Sequence, residues 1–142
     1  MSREIKFRAW DDREEKMYYS VFRFPGLWTD EGIFIEEDCY LYSIDHKNEQ
    51  FTILSDASII LQFTGLKDRN GTEIYVDDIL LYESVIAGKT IKYYLPVKWY
   101  QTKAQYLVDG KIPSNGTHRQ LYNWNGKCEV IGNIYENQEL LK

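Results

Sequence analysis

The stretch that decides the fold reads Gln62-Phe63-Thr64-Gly65-Leu66-Lys67-Asp68-Arg69-Asn70-Gly71-Thr72-Glu73-Ile74-Tyr75-Val76-Asp77-Asp78-Ile79-Leu80-Leu81-Tyr82. It contains the clearest turn signal of the chain, Asn70-Gly71, between a β-rich run that ends at Phe63 and another that begins at Glu73. Asn and Gly both tolerate positive φ, which a tight β-turn needs. The pair therefore predicts a structural turn, and the segment indicates β architecture rather than chemistry.

Short strand-like runs separated by turn residues continue on both sides of this stretch. Near the N-terminus, Ile5, Phe7 and Ala9 alternate with Lys6, Arg8 and Trp10, a period of two that is typical of a half-buried strand. Many short strands with close turns predict a mostly β protein, arranged as a small barrel or meander. The predicted strands cover residues 5–10, 16–24, 33–35, 40–44, 59–63, 78–86, 91–100, 105–108 and 129–135.

Proline, glycine and asparagine mark where these strands end or change. Pro25-Gly26 and Gly88-Lys89 predict turns. Pro96 cannot donate a hydrogen bond to a neighbouring strand, so we expect strand 91–100 to lie at an edge or to bulge there. Asn137 predicts the cap of one short helical turn at the C-terminus.

Composition and charge exclude several classes of protein. With 142 residues, the chain suits one domain or two small subdomains that share a core, and its 44% hydrophobic content is that of a globular protein. A net charge of −5 disfavours bulk electrostatic binding to nucleic acid or anionic lipid. No apolar run is long enough to cross a membrane or to serve as a signal peptide, so we expect a cytoplasmic location. Two cysteines are too few for a disulfide framework, and we expect both to be reduced.

The sequence supports none of three kinds of reactive site, namely a calcium loop, a nucleophile with a base, and a zinc site. Alignment of Gly71 with the glycine of a calcium loop puts Leu66 at the first ligand position, which requires a carboxylate. No sequence pattern places a histidine beside a nucleophile. The soft metal ligands lack the close spacing of structural zinc sites. We therefore predict no catalytic residue, no metal, no cofactor and no enzymatic activity. The soft ligands are Cys39, His46, His118 and Cys128.

Three blocks of sequence resemble the YopX family of small proteins encoded by phages and prophages. They begin with Arg3-Glu4-Ile5-Lys6-Phe7-Arg8-Ala9-Trp10-Asp11, continue with Leu61 to Asp68 and on to Ile79, and end with Val130-Ile131-Gly132-Asn133-Ile134-Tyr135-Glu136-Asn137. The resemblance implies a Src-homology-3 (SH3)-type small β-barrel over residues 59–142 and a smaller N-terminal β-rich (α+β) part over residues 1–58. It implies no activity.

The chain departs from the family pattern at two positions. Asp77 stands where the family usually has Gly, which puts a glycine-specific backbone conformation there in question, although Asp tolerates that conformation comparatively well. Gln138 stands where Pro is common.

Two functional hypotheses concern the basic aromatic segment, which we define as residues 89–106. The first is a protein-interaction module that binds another protein, or a second copy, through a groove or an edge strand. The second is a nucleic-acid binder, in which lysines follow the phosphates and rings stack on bases. A third interpretation is structural, with the rings in the core and the lysines solvated. The candidate surface comprises Lys92, Tyr94, Lys98, Trp99, Tyr100, Lys103 and Tyr106.

Overall fold

The protein is mostly β in a computed structural model, which describes residues 4–29, 31–55, 58–109 and 118–142. This confirms the predicted fold class. Within the described ranges the strands are β1 Phe7–Asp11, β2 Lys16–Tyr18, β3 Val21–Thr29, β4 Gly32–Asp45, β5 Gln50–Ile53, β6 Ile59–Lys67, β7 Glu73–Tyr75, β8 Asp78–Ile86, β9 Lys89–Tyr100, β10 Gln105–Asp109, β11 His118–Gln120 and β12 Glu129–Asn133.

The chain divides into two compact units. One is formed by Ile5–Gln62, and the other contains Phe63–Lys142, so strand β6 begins in the first unit and ends in the second. The boundary expected from sequence, between residues 58 and 59, stays a prediction. Among the described helices, none has the length and apolar composition needed to cross a bilayer.

The N-terminal unit, 5–62, contains two groups of antiparallel strands. β1 pairs with β2 on one side and with the first half of β6 on the other, with Phe7 opposite Gln62. A second sheet has the order β3-β4-β5. A small core joins apolar side chains from both groups, and its buried members are Ala9, Val21, Leu41 and Leu54.

The C-terminal unit, 63–142, is built on a five-stranded antiparallel sheet in the order β11-β10-β9-β8-β12. The second half of β6 pairs with β7, with Phe63 opposite Tyr75. The strands of the protein include a sheet that curls into a half-barrel. The more specific assignment of an SH3-type barrel stays a prediction. The buried core of this unit comprises Ile74, Leu80, Leu95, Val97, Val108, Leu121 and Cys128.

Several local predictions in the N-terminal unit are wrong. Pro25-Gly26 is not a turn, because both residues lie within β3. The β3–β4 register shifts between Phe24 and Gly26, and at this irregularity the ladder requires no hydrogen bond from proline, which has no N–H. The two short strands expected at 33–35 and 40–44 are one continuous strand, β4. The side chains of β1 do not alternate between buried and exposed, because Arg8 and Trp10 are buried like Ala9, which lies between them.

Pro96 marks the point where β9 changes its partner. Residues 89–96 of β9 pair with β8, and Pro96 lies opposite Ile79. Val97 to Tyr100 pair with β10 instead. In the sheet order, β9 lies between two neighbours, so the predicted edge position is wrong. The proline is accommodated because the ladder on β8 ends at its position, while the ladder on β10 begins one residue later.

The chain ends in a short 3-10 helix, Gln138–Leu141, as the sequence predicts. Asn137 precedes this helix, but its side chain does not cap it. Its Oδ1 instead accepts a hydrogen bond from the Asn133 amide at 3.2 Å. A β-carbon placed on Gly132 would overlap this Asn137 side chain, so the absence of a side chain at Gly132 makes room for the bond.

Candidate functional site

The candidate surface predicted on residues 92–106 is divided between the two faces of the sheet. Side chains alternate along β9, so Trp99 shares a face with the buried Leu95 and Val97. Tyr106 lies directly opposite Trp99 on β10 and therefore joins that face. The remaining predicted residues of β9 project to the other face, and they are Lys92, Tyr94, Lys98 and Tyr100. The structure thus brings Trp99 and Tyr106 together and separates them from the lysines of β9.

Two of the three candidate lysines are paired with carboxylates. Lys98 Nζ lies 2.8 Å from Asp77 Oδ1, and the Asp77 side chain is only 13% exposed. Lys92 Nζ lies 3.9 Å from Glu83 Oε1, across the β8–β9 ladder. Lys103 is exposed in the 3-10 helix Gln101–Lys103, which connects β9 to β10. The positive charge that a phosphate backbone would need is therefore partly neutralised within the fold.

An open aromatic groove lies on the sheet face that carries Trp99 and Tyr106, and we call it the Trp99 groove. The rings of Trp99 and Tyr106 meet edge to face, with their centroids 4.9 Å apart. Trp99 is 49% exposed, and Tyr122, which also lines the groove, is 76% exposed. The groove has a volume of about 330 Å³. It is lined by Thr64, Leu66, Trp99, Ala104, Gln105, Tyr106, Gln120, Leu121 and Tyr122.

Local backbone structure places these rings. Trp99 and Tyr106 occupy paired positions of β9 and β10, and the link between the strands closes at Ala104, whose φ is +48°. Tyr122 lies in the 3-10 helix Leu121–Asn123, directly after β11. Its neighbour Leu121 is fully buried in the core and anchors this helix, so the Tyr122 side chain is left at the surface.

The Trp99 groove has the chemistry of a recognition surface. Its described lining contains no charged side chain, and it combines aromatic rings with the amides of Gln105 and Gln120 and the hydroxyls of the two tyrosines. No cysteine or histidine is in this lining, so it offers neither a thiol nucleophile nor an imidazole base. Rings that are partly exposed give large apolar contact, and amides orient a ligand by hydrogen bonds.

The Asn70-Gly71 turn is held by a residue that the sequence did not single out. Asp68 is buried, and its Oδ1 accepts hydrogen bonds from the amides of Asn70 at 2.8 Å and Thr72 at 2.9 Å. Its Oδ2 accepts another from the Val130 amide at 2.8 Å, which ties the turn to β12. Both carboxylate oxygens therefore serve the backbone. This is the arrangement of a structural turn, and it gives the calcium interpretation no support.

Asp77 adopts the left-handed conformation at the position where the family usually has Gly. Its φ is +69°. The carboxylate that this residue adds is used twice, since Oδ1 contacts Lys98 and Oδ2 accepts a hydrogen bond from the Tyr135 hydroxyl at 2.7 Å. The backbone contributes as well, because the Asp77 amide donates to the Val97 carbonyl and its carbonyl accepts from the Ile134 amide.

The described part of the chain shows no cluster suited to a metal ion. Within it, no group of three or more His, Cys, Asp and Glu side chains lies close enough to share one. Of the soft ligands, His46 is exposed and Cys128 is a buried free thiol, while the side chains of Cys39 and His118 lie outside the described residues. Burial raises the pKa of Cys128 to about 11, although Arg69 and Lys127 oppose the shift. Such a thiol stays protonated near neutral pH and is a poor nucleophile.

Sequence reasoning missed Tyr122, the most exposed ring of the groove. The only signal for it was an aromatic residue in a stretch, residues 121–128, that has no strand pattern. Its place beside Trp99 depends on where β11 returns against β10, with Leu107 opposite Gln120, and no local pattern encodes that pairing.

Comparisons with known proteins agree with this description. The family model described as YopX protein matches residues 6–142. The structure is similar to protein EF1440 from Enterococcus faecalis, with 27% identity, a TM-score of 0.58 and coverage of 99% of this chain and 100% of that one. It is also similar to protein yopX from Bacillus subtilis, with 20% identity, a TM-score of 0.57 and coverage of 96% and 98%. At that identity the second likeness shows the fold alone. Comparison with curated proteins gives no significant match.

Proposed function

This chain belongs to the YopX family, and from that premise and the geometry of the Trp99 groove we propose that it is a non-enzymatic protein-interaction module of a phage or prophage. The partner is a phage or host protein that presents an uncharged, extended peptide segment to the groove. The proposal includes a cytoplasmic location, where a free thiol such as that of Cys128 stays reduced.

The exposed ring cluster is the observation that carries this proposal. Trp99, Tyr106 and Tyr122 present their rings around one groove in which the described lining is uncharged. Tyrosine and tryptophan are enriched in protein interfaces because they bury a large area with few rotatable bonds. Grooves lined by aromatic rings accept extended segments whose backbone carbonyls bond to polar side chains at the rim, and Gln105 and Gln120 supply such donors.

A nucleic acid is the second candidate, and one observation favours it. Lys103 is exposed in the helix that follows Trp99, so a cation and a ring lie near each other in sequence at the surface. Against it stand the pairing of Lys92 and Lys98 with carboxylates and the net charge of −5. Electrostatic attraction to phosphates supplies most non-specific affinity for nucleic acids, and here it is weak.

The test is affinity capture of the tagged protein from cells that carry the phage or prophage, with and without nuclease. We expect a captured protein that survives nuclease treatment and is lost with Tyr122→Ala and with Trp99→Ala. Tyr122→Ala is the cleaner variant, because a ring that is 76% exposed contributes little to stability. Tyr19→Ala is the matched control, since Tyr19 is also an exposed tyrosine but lies in the other unit. It should leave capture unchanged.

Two results would contradict the proposal. Capture that is indifferent to Tyr122 and Trp99 would remove the groove from the interaction. A partner that disappears with nuclease, together with salt-dependent fluorescence anisotropy of short DNA or RNA strands that needs Trp99 and Lys103, would make the nucleic-acid hypothesis the correct one.

A further inference from the structure

A second open cavity lies wholly among residues of the N-terminal unit, and we call it the N-terminal cleft. Its volume is about 770 Å³, which is within the range of small-molecule sites. Most of its lining is aliphatic or aromatic. The cleft is lined by Ile5, Lys6, Phe7, Ser20, Val21, Phe22, Arg23, Leu41, Ile44 and Ile60.

The cleft lies between the two groups of strands in this unit. Phe7 and Ile60 share one face of the β1–β6 pair, because Ala9 lies opposite Ile60 and Phe7 is two residues before Ala9. On the other wall, Arg23 lies directly opposite Leu41 in the β3–β4 register. Two of the cleft's lining residues, Val21 and Leu41, belong to the small core of this unit. The outer end is open at Ile5, which is 64% exposed.

Charge at this cleft has one sign. Its lining includes the exposed guanidinium of Arg23 and the half-buried Lys6, and none of its described lining residues is acidic. The protein as a whole carries −5, so a locally positive lining departs from the average charge of the protein. The apolar part of the lining favours a hydrocarbon, and its two cations favour an anionic end group.

We propose that the N-terminal cleft binds a free long-chain carboxylate, with the hydrocarbon tail along Phe7, Val21 and Leu41 and the carboxylate beside Arg23. A small polar anion would leave the apolar walls of the cleft in contact with water. A cationic amphiphile would be repelled by the positive charge of Arg23. The volume of about 770 Å³ suits a single monomeric amphiphile, rather than a membrane surface, which would meet only the exposed residues such as Ile5.

The experiment uses the full chain and probes of opposite charge. Decanoate, dodecanoate and decyltrimethylammonium are titrated by calorimetry below their critical micelle concentrations, and a decanoate titration is followed by amide NMR. We expect decanoate to bind at one site, to shift the amides of Phe7, Val21 and Leu41, and to bind at least tenfold more tightly than the cation. Dodecanoate should bind roughly tenfold more tightly than decanoate, because it buries two further methylene groups.

Variants at the open end of the cleft distinguish binding at a specific site from non-specific adsorption. Ile5→Glu places a carboxylate at the rim and should weaken decanoate binding at least tenfold, whereas Ile53→Glu, at a position 48% exposed and outside the lining, should not change it. Arg23→Gln should weaken binding, and Arg23→Lys should retain most of it. Trp99→Ala should have no effect, so the outcome is independent of the function proposed for the groove.

Four results would overturn the proposal. They are absence of saturable decanoate binding in the parent protein, equal binding of the anionic and cationic amphiphiles, an equal effect of Ile5→Glu and Ile53→Glu, and binding to anionic vesicles in place of the monomer.

Discussion

At Gly71 the chain adopts a φ of +82°, as a tight turn at Asn70-Gly71 requires of at least one residue. Asn70 also tolerates a positive φ but does not adopt one. Five residues, 68–72, separate Lys67 and Glu73, which are paired between β6 and β7. The Gly71 amide donates to the Asp68 carbonyl at 3.1 Å, and the Asp68 carboxylate completes the loop. Local propensity identified the turn, but the loop length follows from the buried carboxylate.

Gly71→Val should lower the melting temperature through backbone strain alone. A β-carbon on Gly71 would meet nothing within 4 Å, so crowding contributes no penalty. A β-branched residue at positive φ costs on the order of 1–3 kcal/mol. Gly126→Val is the control, because Gly126 also has open space but lacks a positive φ. Calorimetry of both variants decides the matter, and equal melting temperatures would refute the assignment. Calcium should leave the parent unchanged, since Asp68 is occupied by backbone amides.

Cys128 should make stability depend on alkaline pH. Its ordinary pKa is 9.0, and burial raises the pKa in the folded protein to about 11. Above pH 9 the unfolded chain loses the thiol proton while the folded chain retains it, so the unfolded state binds fewer protons and stability falls as pH rises toward 11. Urea denaturation at pH 8 and pH 10 should show a larger loss for the parent than for Cys128→Ala. Equal losses in the two proteins would contradict the prediction.

At the scale of strands, local sequence signals predicted a turn that closes a hairpin, but they did not predict features that depend on pairing between strands. The β8–β9 hairpin was predicted with its turn displaced by one residue, since Ala87 and Gly88 carry the positive φ values. Pro25-Gly26 has an equally strong local signal, yet it lies inside β3, because pairing with the long strand β4 overrides it. The Trp99 groove was half predicted for the same reason. Trp99 and Tyr106 lie on two predicted strands that follow each other in sequence, whereas Tyr122 is brought beside them by β10–β11 pairing.

Asp77, between β7 and β8, bonds to β9 and to the segment after β12, and its replacement tests what the carboxylate contributes beyond the glycine usual in the family. Asp77→Gly removes the contacts to Lys98 and Tyr135, worth about 2 kcal/mol together for a partly exposed ion pair and one charged hydrogen bond. It also relieves about 1 kcal/mol of left-handed strain. We expect a net loss of roughly 1 kcal/mol, against roughly 2 kcal/mol or more for Asp77→Ala, which gains no relief.

The control for this prediction is a double-mutant cycle with Tyr135→Phe, measured by chemical denaturation. Removal of the Tyr135 hydroxyl should cost about 1 kcal/mol in the parent and almost nothing in Asp77→Gly, because the hydrogen bond is already absent there. Additive losses would show that the two groups do not interact. An Asp77→Gly variant more stable than the parent would show that strain outweighs both contacts.

For the molecule as a whole, the two units differ in length, because one spans residues 5–62 and the other contains residues 63–142. A domain of about 60 residues is marginally stable even with a good core, because it buries only a modest share of its surface. The sequence predicted the β-rich character of both parts. It did not predict which of them is stable alone, because strand patterns in 5–62 look as regular as those in 63–142.

We therefore expect a fragment of residues 63–142 to fold alone and a fragment of residues 5–62 not to do so. The longer fragment retains the five-stranded sheet, the core around Leu80 and Leu95, and every lining residue of the Trp99 groove. It should show near-ultraviolet circular dichroism, a cooperative urea transition and the parent's capture of the groove partner. Fragment 5–62 should show no cooperative transition, because so short a chain buries too small a share of its surface to offset the conformational entropy of ordering it. A cooperative transition in 5–62, or its absence in 63–142, would show that length does not determine which unit is self-sufficient.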